Sequence, residues 1–158
     1  MQAKSIKGNT TEEINAALQQ SIVDGFQPTL AICFISVKQD RNAICKLLDD
    51  AGIAIFGTTT NGEFIDEVTE KGSAAILLLD INKNYFQLYF EEYPEKNYRA
   101  ITNAVARKAK EKFVTPAFFI AGSNMETDAE ELLFGFSCLK SLNSFPYFIG
   151  DQLVADCI

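Results

Sequence analysis

The chain has 158 residues, enough for one domain with a sizeable core, and its 47% hydrophobic and 22% charged content is that of a globular protein. Fourteen basic residues stand against 21 acidic ones, and the net charge of −7 argues against a nucleic-acid partner, which is held by Lys and Arg on phosphates. Histidine is absent, which excludes a Ser-His-Asp triad, a Cys-His dyad and any His-ligated metal in this chain.

Lys4–Ile6 reads as a short first strand. No apolar stretch follows the lysines of MQAKSIKGNTTEE, so this is no secretory signal, and no later run reaches the roughly 18 apolar residues of a membrane span. A cytoplasmic location is expected. Thr10-Thr11-Glu12-Glu13 is a capping box with Thr10 as N-cap, and Ile14, Ala17, Leu18 and Ile22 continue the helical stripe to Asp24-Gly25. The near-continuous apolar run of Leu30–Val37 predicts a strand buried on both faces. Asp40 caps a second helix, with Ile44, Leu47 and Leu48 inward and Asp49-Asp50-Ala51-Gly52 at its end. The strand Ile53–Phe56 follows. Strand, helix, strand, helix, strand predicts parallel pairing with right-handed crossovers.

Gly57-Thr58-Thr59-Thr60-Asn61-Gly62-Glu63 then reads either as a turn between strands, with Asn61-Gly62 as its hairpin signal, or as a ligand loop at a strand's carboxyl end. Ser73–Ile81, a turn at Asn82-Lys83-Asn84, and Tyr85–Glu91 predict an antiparallel hairpin. In its second strand Phe86, Leu88 and Phe90 are expected to face the core, opposite Gln87, Tyr89 and Glu91. Tyr93-Pro94 breaks the chain. A helix is predicted from about Lys96 to Phe113, with Tyr98, Ile101, Val105, Ala109 and Phe113 on one side and the basic run 107–112 as a solvated face. The strand Ala117–Ala121 ends in Gly122-Ser123-Asn124. Thr127 and Glu130 cap a helix to about Ser141, and Tyr147–Ile149 is a last strand ending in Gly150-Asp151.

Residues 1–158 thus read as one α/β domain with a mixed, largely parallel sheet, an antiparallel hairpin and helices on both faces, its central strands being Leu30–Val37, Ile53–Phe56 and Ala117–Ala121. Cys33, Cys45 and Cys138 read as small buried hydrophobes of a reducing compartment, and Cys157 as exposed.

Three strands end alike, in Gly and polar residues: Phe56-Gly57-Thr58, Ala121-Gly122-Ser123 and Ile149-Gly150-Asp151. As parallel neighbours they would bring Gly57, Thr58, Thr59, Thr60, Asn61, Gly62, Glu63, Gly122, Ser123, Asn124, Gly150 and Asp151 to one rim, a place for a small molecule. Glu63 stands where a phosphate-binding loop requires Lys, and G-x-G-x-x-G is absent, so no nucleotide, cofactor or metal is expected. Glu63 and Asp151 suit an ammonium, and the loop N–H groups and hydroxyls suit a carboxylate, which together describe an amino acid or similar zwitterion.

The run Gly57–Phe64, with the order of the elements around it and Phe148-Ile149-Gly150-Asp151 near the end, resembles the N-terminal domain of the FIST family. Thr59 stands where Ser is common there, and Asn61 where a small residue is common. The resemblance implies a sensory module of bacterial signal transduction that binds a small ligand without altering it. It further implies a C-terminal partner domain or a downstream signalling protein, this chain being either a minimal version or the N-terminal part of a two-domain protein. Two alternatives stand beside it: a small hydrolase or amidase with a loop Thr or Ser as nucleophile, and a protein-interaction fragment that needs a second domain. The hydrolase reading lacks a base, since no His exists and no Lys lies in the three loops.

Overall fold

The Thr10 hydroxyl accepts from Glu13 N at 3.2 Å, and the Glu13 carboxylate accepts from Asn9 N at 2.7 Å. The first bond is the one the capping-box spacing predicts, while the Glu13 carboxylate reaches back one residue further than that motif requires, to Asn9 instead of Thr10. The helix is α1 (Thr11–Ile22), and it follows strand β1 (Gln2–Gly8). A computed structural model describes residues 1–60, 63–65, 68–92, 95–122, 128–136 and 147–148. In chain order the further elements are β2 (Leu30–Ser36), α2 (Arg41–Asp50), β3 (Ala54–Thr60), β4 (Glu63–Ile65), β5 (Val68–Glu70) and β6 (Ala74–Asp80). A 3₁₀ turn at Lys83–Tyr85, α3 (Tyr98–Lys112), β7 (Phe119–Ile120), α4 (Ala129–Gly135) and β8 (Tyr147–Phe148) complete them. Two compact units result, one built on Met1–Phe86 and one on Gln87–Asp151.

The first unit is a four-stranded sheet in the order β1-β6-β2-β3. β2 and β3 are parallel, while β6 runs antiparallel to both β1 and β2, so β1, β2 and β3 all point one way. The mixed α/β class follows. Strand order advances across the sheet in one direction from β1 to β2 to β3, and right-handed crossovers then place both helices on the same face. One core cluster accordingly joins Ile14 and Leu18 of α1 and Ile44 and Leu48 of α2 with Ala31, Cys33, Ile35, Ala74, Ile76 and Leu78 of the sheet. The α2 exit is set by backbone geometry. Gly52 has φ +72°, Gly52 N donates to Asp49 O at 2.8 Å, and Ile53 N donates to Leu48 O at 3.1 Å. This is a Schellman ending, with Ile53 and Leu48 both in the core beside it.

In the second unit β7 and β8 pair in parallel, Phe119 with Tyr147 and Ile120 with Phe148. Ala106 and Phe136 form its core with Phe118 and Ile120 against them, and the Phe118 and Phe136 rings lie 4.5 Å apart. α4 comes close to α3 because Gly135 has no side chain. A Cβ there would lie 1.6 Å from Thr102 Oγ1 and 2.7 Å from the Arg99 carbonyl. Asn103 Nδ2 donates to the Gly135 carbonyl at 3.3 Å across the same contact.

Several expectations are corrected. β2 is central, but β3 stands last in the strand order of its sheet, and the strand expected at 117–121 is β7, paired with β8 in a separate two-stranded sheet. Residues 85–91 do not pair with β6, because both edges of β6 are already occupied, by β1 and by β2. The antiparallel hairpin that does form is β4–β5. The buried side of α3 is Tyr98, Thr102, Ala106 and Ala109, with Ile101, Val105 and Phe113 half-buried. α4 is capped one residue later than expected, Asp128 Oδ1 accepting from Glu131 N at 3.0 Å. Cys33 is free and buried, as expected, whereas Cys45 is disulfide-bonded, with its partner outside the described residues. No helix among the described residues is long and apolar enough to cross a membrane.

Candidate functional site

Of the residues singled out in the sequence, Gly57, Thr58, Thr59 and Thr60 lie within β3, which continues four residues past Phe56. The expected loop is strand at these positions because each residue pairs in register with β2, Gly57 with Cys33 and Thr60 with Ser36. Gly57 has a packing reason to be glycine. A Cβ on it would lie 2.7 Å from the Cys33 carbonyl oxygen and 2.8 Å from Cys33 Cβ. Thr58 is 1% exposed, and its hydroxyl donates to the Thr59 carbonyl at 3.1 Å. It is a core residue. Thr59 and Thr60 are half-buried.

Glu63 opens β4 and stands opposite Glu70 of β5, and this ribbon approaches the sheet at β2 and β6. Gly122 is buried two residues beyond β7. Because β7 and β8 are parallel, Ile120 and Phe148 lie at the same end of that pair. Asn61, Gly62, Ser123, Asn124, Gly150 and Asp151 lie outside the described residues.

Burial pushes the Cys33 thiol up from its ordinary 9.0 to about 12, so it is protonated at neutral pH and a poor nucleophile. Among the described residues no group of three or more acids and cysteines is placed to hold a metal ion.

A different feature presents charge to solvent. An open groove of about 680 Å³ in the second unit is lined by Asn97, Tyr98, Arg99, Asn103 and Arg107 of the α3 side and by Glu131 of α4. Arg99, Asn103 and Arg107 recur at intervals of four, so they line one stripe of α3. Arg99 is placed by its guanidinium lying over the Phe134 ring, 5.4 Å from the centroid. Asn97 is the N-cap residue of α3, yet its side chain makes no capping hydrogen bond. Glu131 faces the stripe from the first turn of α4 and is half-buried. Two guanidiniums can grip a carboxylate in forked geometry, and a facing carboxylate can take an ammonium. The sequence signal was present as Arg-x₃-Asn-x₃-Arg, but its facing acid comes from another helix and only packing brings it there.

No family model, curated protein or solved structure matches the chain.

Proposed function

We propose that the chain is a non-catalytic sensory domain of the FIST kind, cytoplasmic and bacterial, that binds an amino acid or similar zwitterion and passes the signal to a partner domain or protein. The carrying observation is the α3–α4 groove, which Arg99 and Arg107 of α3 line together with Glu131 of α4 and with Asn97 and Asn103. That set offers both charges a zwitterion needs and side-chain amides to orient it. A strand end in either unit, at Glu63 or at Asp151, is the rival location for the same ligand; in the second unit the parallel direction of β7 and β8 supports it. No observation favours the hydrolase reading: Thr58 is buried, and Cys33 is held protonated.

A thermal-shift screen of amino acids, nucleotides and sugar phosphates tests the reading. A ligand at about 100 times its Kd adds about 2.7 kcal/mol by mass action, which raises Tm by a few degrees at this chain length. Arg107→Ala and Glu131→Gln remove the shift if the groove is the site. Glu63→Gln or Asp151→Asn removes it if one of the strand ends is. Stabilisation by nucleotides alone, or turnover of an amide or ester, refutes the proposal. A cytoplasmic location also requires Cys45 to be reduced in the cell. Thiol counting on protein alkylated during lysis checks this, and a Cys45 found wholly oxidised there contradicts that location.

A further inference from the structure

The segment 87–92 continues a strand-like composition, and among the described residues no strand pairs with it. Residues 86–92 form no helix, turn or bend. Phe86 is in extended backbone at φ −138°, ψ 162°. Among the described residues, the backbone N–H and C=O groups of 88–90 make no hydrogen bond. Such a row of open backbone groups is a template for strand addition.

Phe86 is half-buried and Gln87 exposed, as the sequence leads one to expect, but from 88 to 91 the alternation is reversed. Leu88 is 38% and Phe90 53% exposed, while Tyr89 and Glu91 are half-buried. Two lysines of α3 hold the segment in place. Lys108 Nζ donates to Glu91 at 2.7 Å, and Lys112 Nζ donates to Gln87 at 2.8 Å. The segment therefore runs antiparallel to the helix, with Gln87 and Glu91 tied to α3 and the apolar Leu88 and Phe90 turned outward. An extended segment of this kind, unpaired among the described residues, becomes a strand once a second one is added.

We propose that the missing strand is the same segment of a second copy, paired antiparallel about a two-fold axis at Tyr89. A two-fold interface must be self-complementary, and this segment is. With Tyr89 opposite Tyr89, Leu88 stands opposite Phe90 twice, and Gln87 opposite Glu91 twice. Apolar pairs meet apolar, and no carboxylate opposes another, whereas a register centred on Glu91 or Glu92 would place like charges face to face. Five paired residues make a small interface, so the dimer is weak and concentration-dependent. Each copy carries −7, so screening by salt strengthens the association. This inference is independent of the ligand reading.

Sedimentation equilibrium on the full chain over rising concentration tests it. The expected mass climbs from 17.5 kDa toward twice that value, and climbs sooner at higher salt. Leu88→Lys with Phe90→Lys sets like charges opposite each other and weakens the dimer on the order of tenfold. Leu88→Lys with Phe90→Glu sets opposite charges there and recovers part of the loss. Hydrogen exchange on the wild-type protein, which needs no variant to fold, shows the amides of 87–91 becoming protected as the dimer fills. A monomer at every concentration, a dimer that leaves 87–91 unprotected, or equal loss in both double variants overturns the proposal.

Discussion

Gly57 sits where β3 presses against β2, and the hydrogen in place of its side chain is what permits the spacing. Gly57→Ala sets a methyl 2.7 Å from a backbone oxygen that cannot rotate away, so the two strands must part. A loss of about 1–3 kcal/mol is expected in urea unfolding, and a neutral substitution would show that the strands have slack there. Its partner Cys33 yields a pH prediction. The thiol titrates near 9.0 when unfolded and about 12 when folded, so the folded state keeps the proton longer. Its contribution is complete below pH 9 and is lost as pH rises from there through 12, at up to about 1.4 kcal/mol per pH unit. The Cys33→Ala variant should lose stability less steeply across that window. An unchanged slope would mean that the thiol is not desolvated. Gly57 is visible in the sequence as a glycine after an apolar run. The reason for it is a neighbour twenty-four positions earlier, and only the parallel register reveals that.

At the scale of elements, local chemistry carries most of the information. Asp40 Oδ1 accepts from Ala43 N at 3.0 Å and starts α2. Asp40→Ala should cost about 1 kcal/mol and Asp40→Asn much less, read from denaturation midpoints at constant m-value. Equal effects of the two substitutions would point to charge instead of the cap bond. The caps of α1 and α2, the end of α2 and the β2–α2–β3 crossover were legible because each depends on residues a few positions apart. Residues 85–91 show the opposite case. Their alternation predicts a strand, and none forms there: pairing depends on whether β6 has a free edge, and β1, more than seventy residues earlier in the chain, already occupies it. The groove facing α3 was illegible for the same reason: Glu131 reaches it through the close α3–α4 contact that Gly135 allows.

For the whole molecule, the distribution of the core matters more than its size. Among the described residues every member of the main cluster, from Ile6 to Leu78, lies within residues 1–86, and Ile14, Ile44, Leu48, Ala74 and Leu78 are fully buried there. Among the described residues the second unit has a smaller core, built on Ala106 and Phe136. The sequence shows no linker between the two, since the strand-like composition of 85–91 covers the boundary at Phe86. A unit with its own core and closed hydrogen-bond ladders can fold alone. Residues 1–86, expressed by themselves and kept reduced at Cys45, should therefore unfold cooperatively on heating. Leu48→Ala should cost about 2–5 kcal/mol in this fragment, and the same amount in the full chain, because the described cluster residues that would line the cavity lie within 1–86. A fragment with no cooperative transition, or a Leu48→Ala cost that appears only in the full chain, would show that the first core depends on the residues after 86.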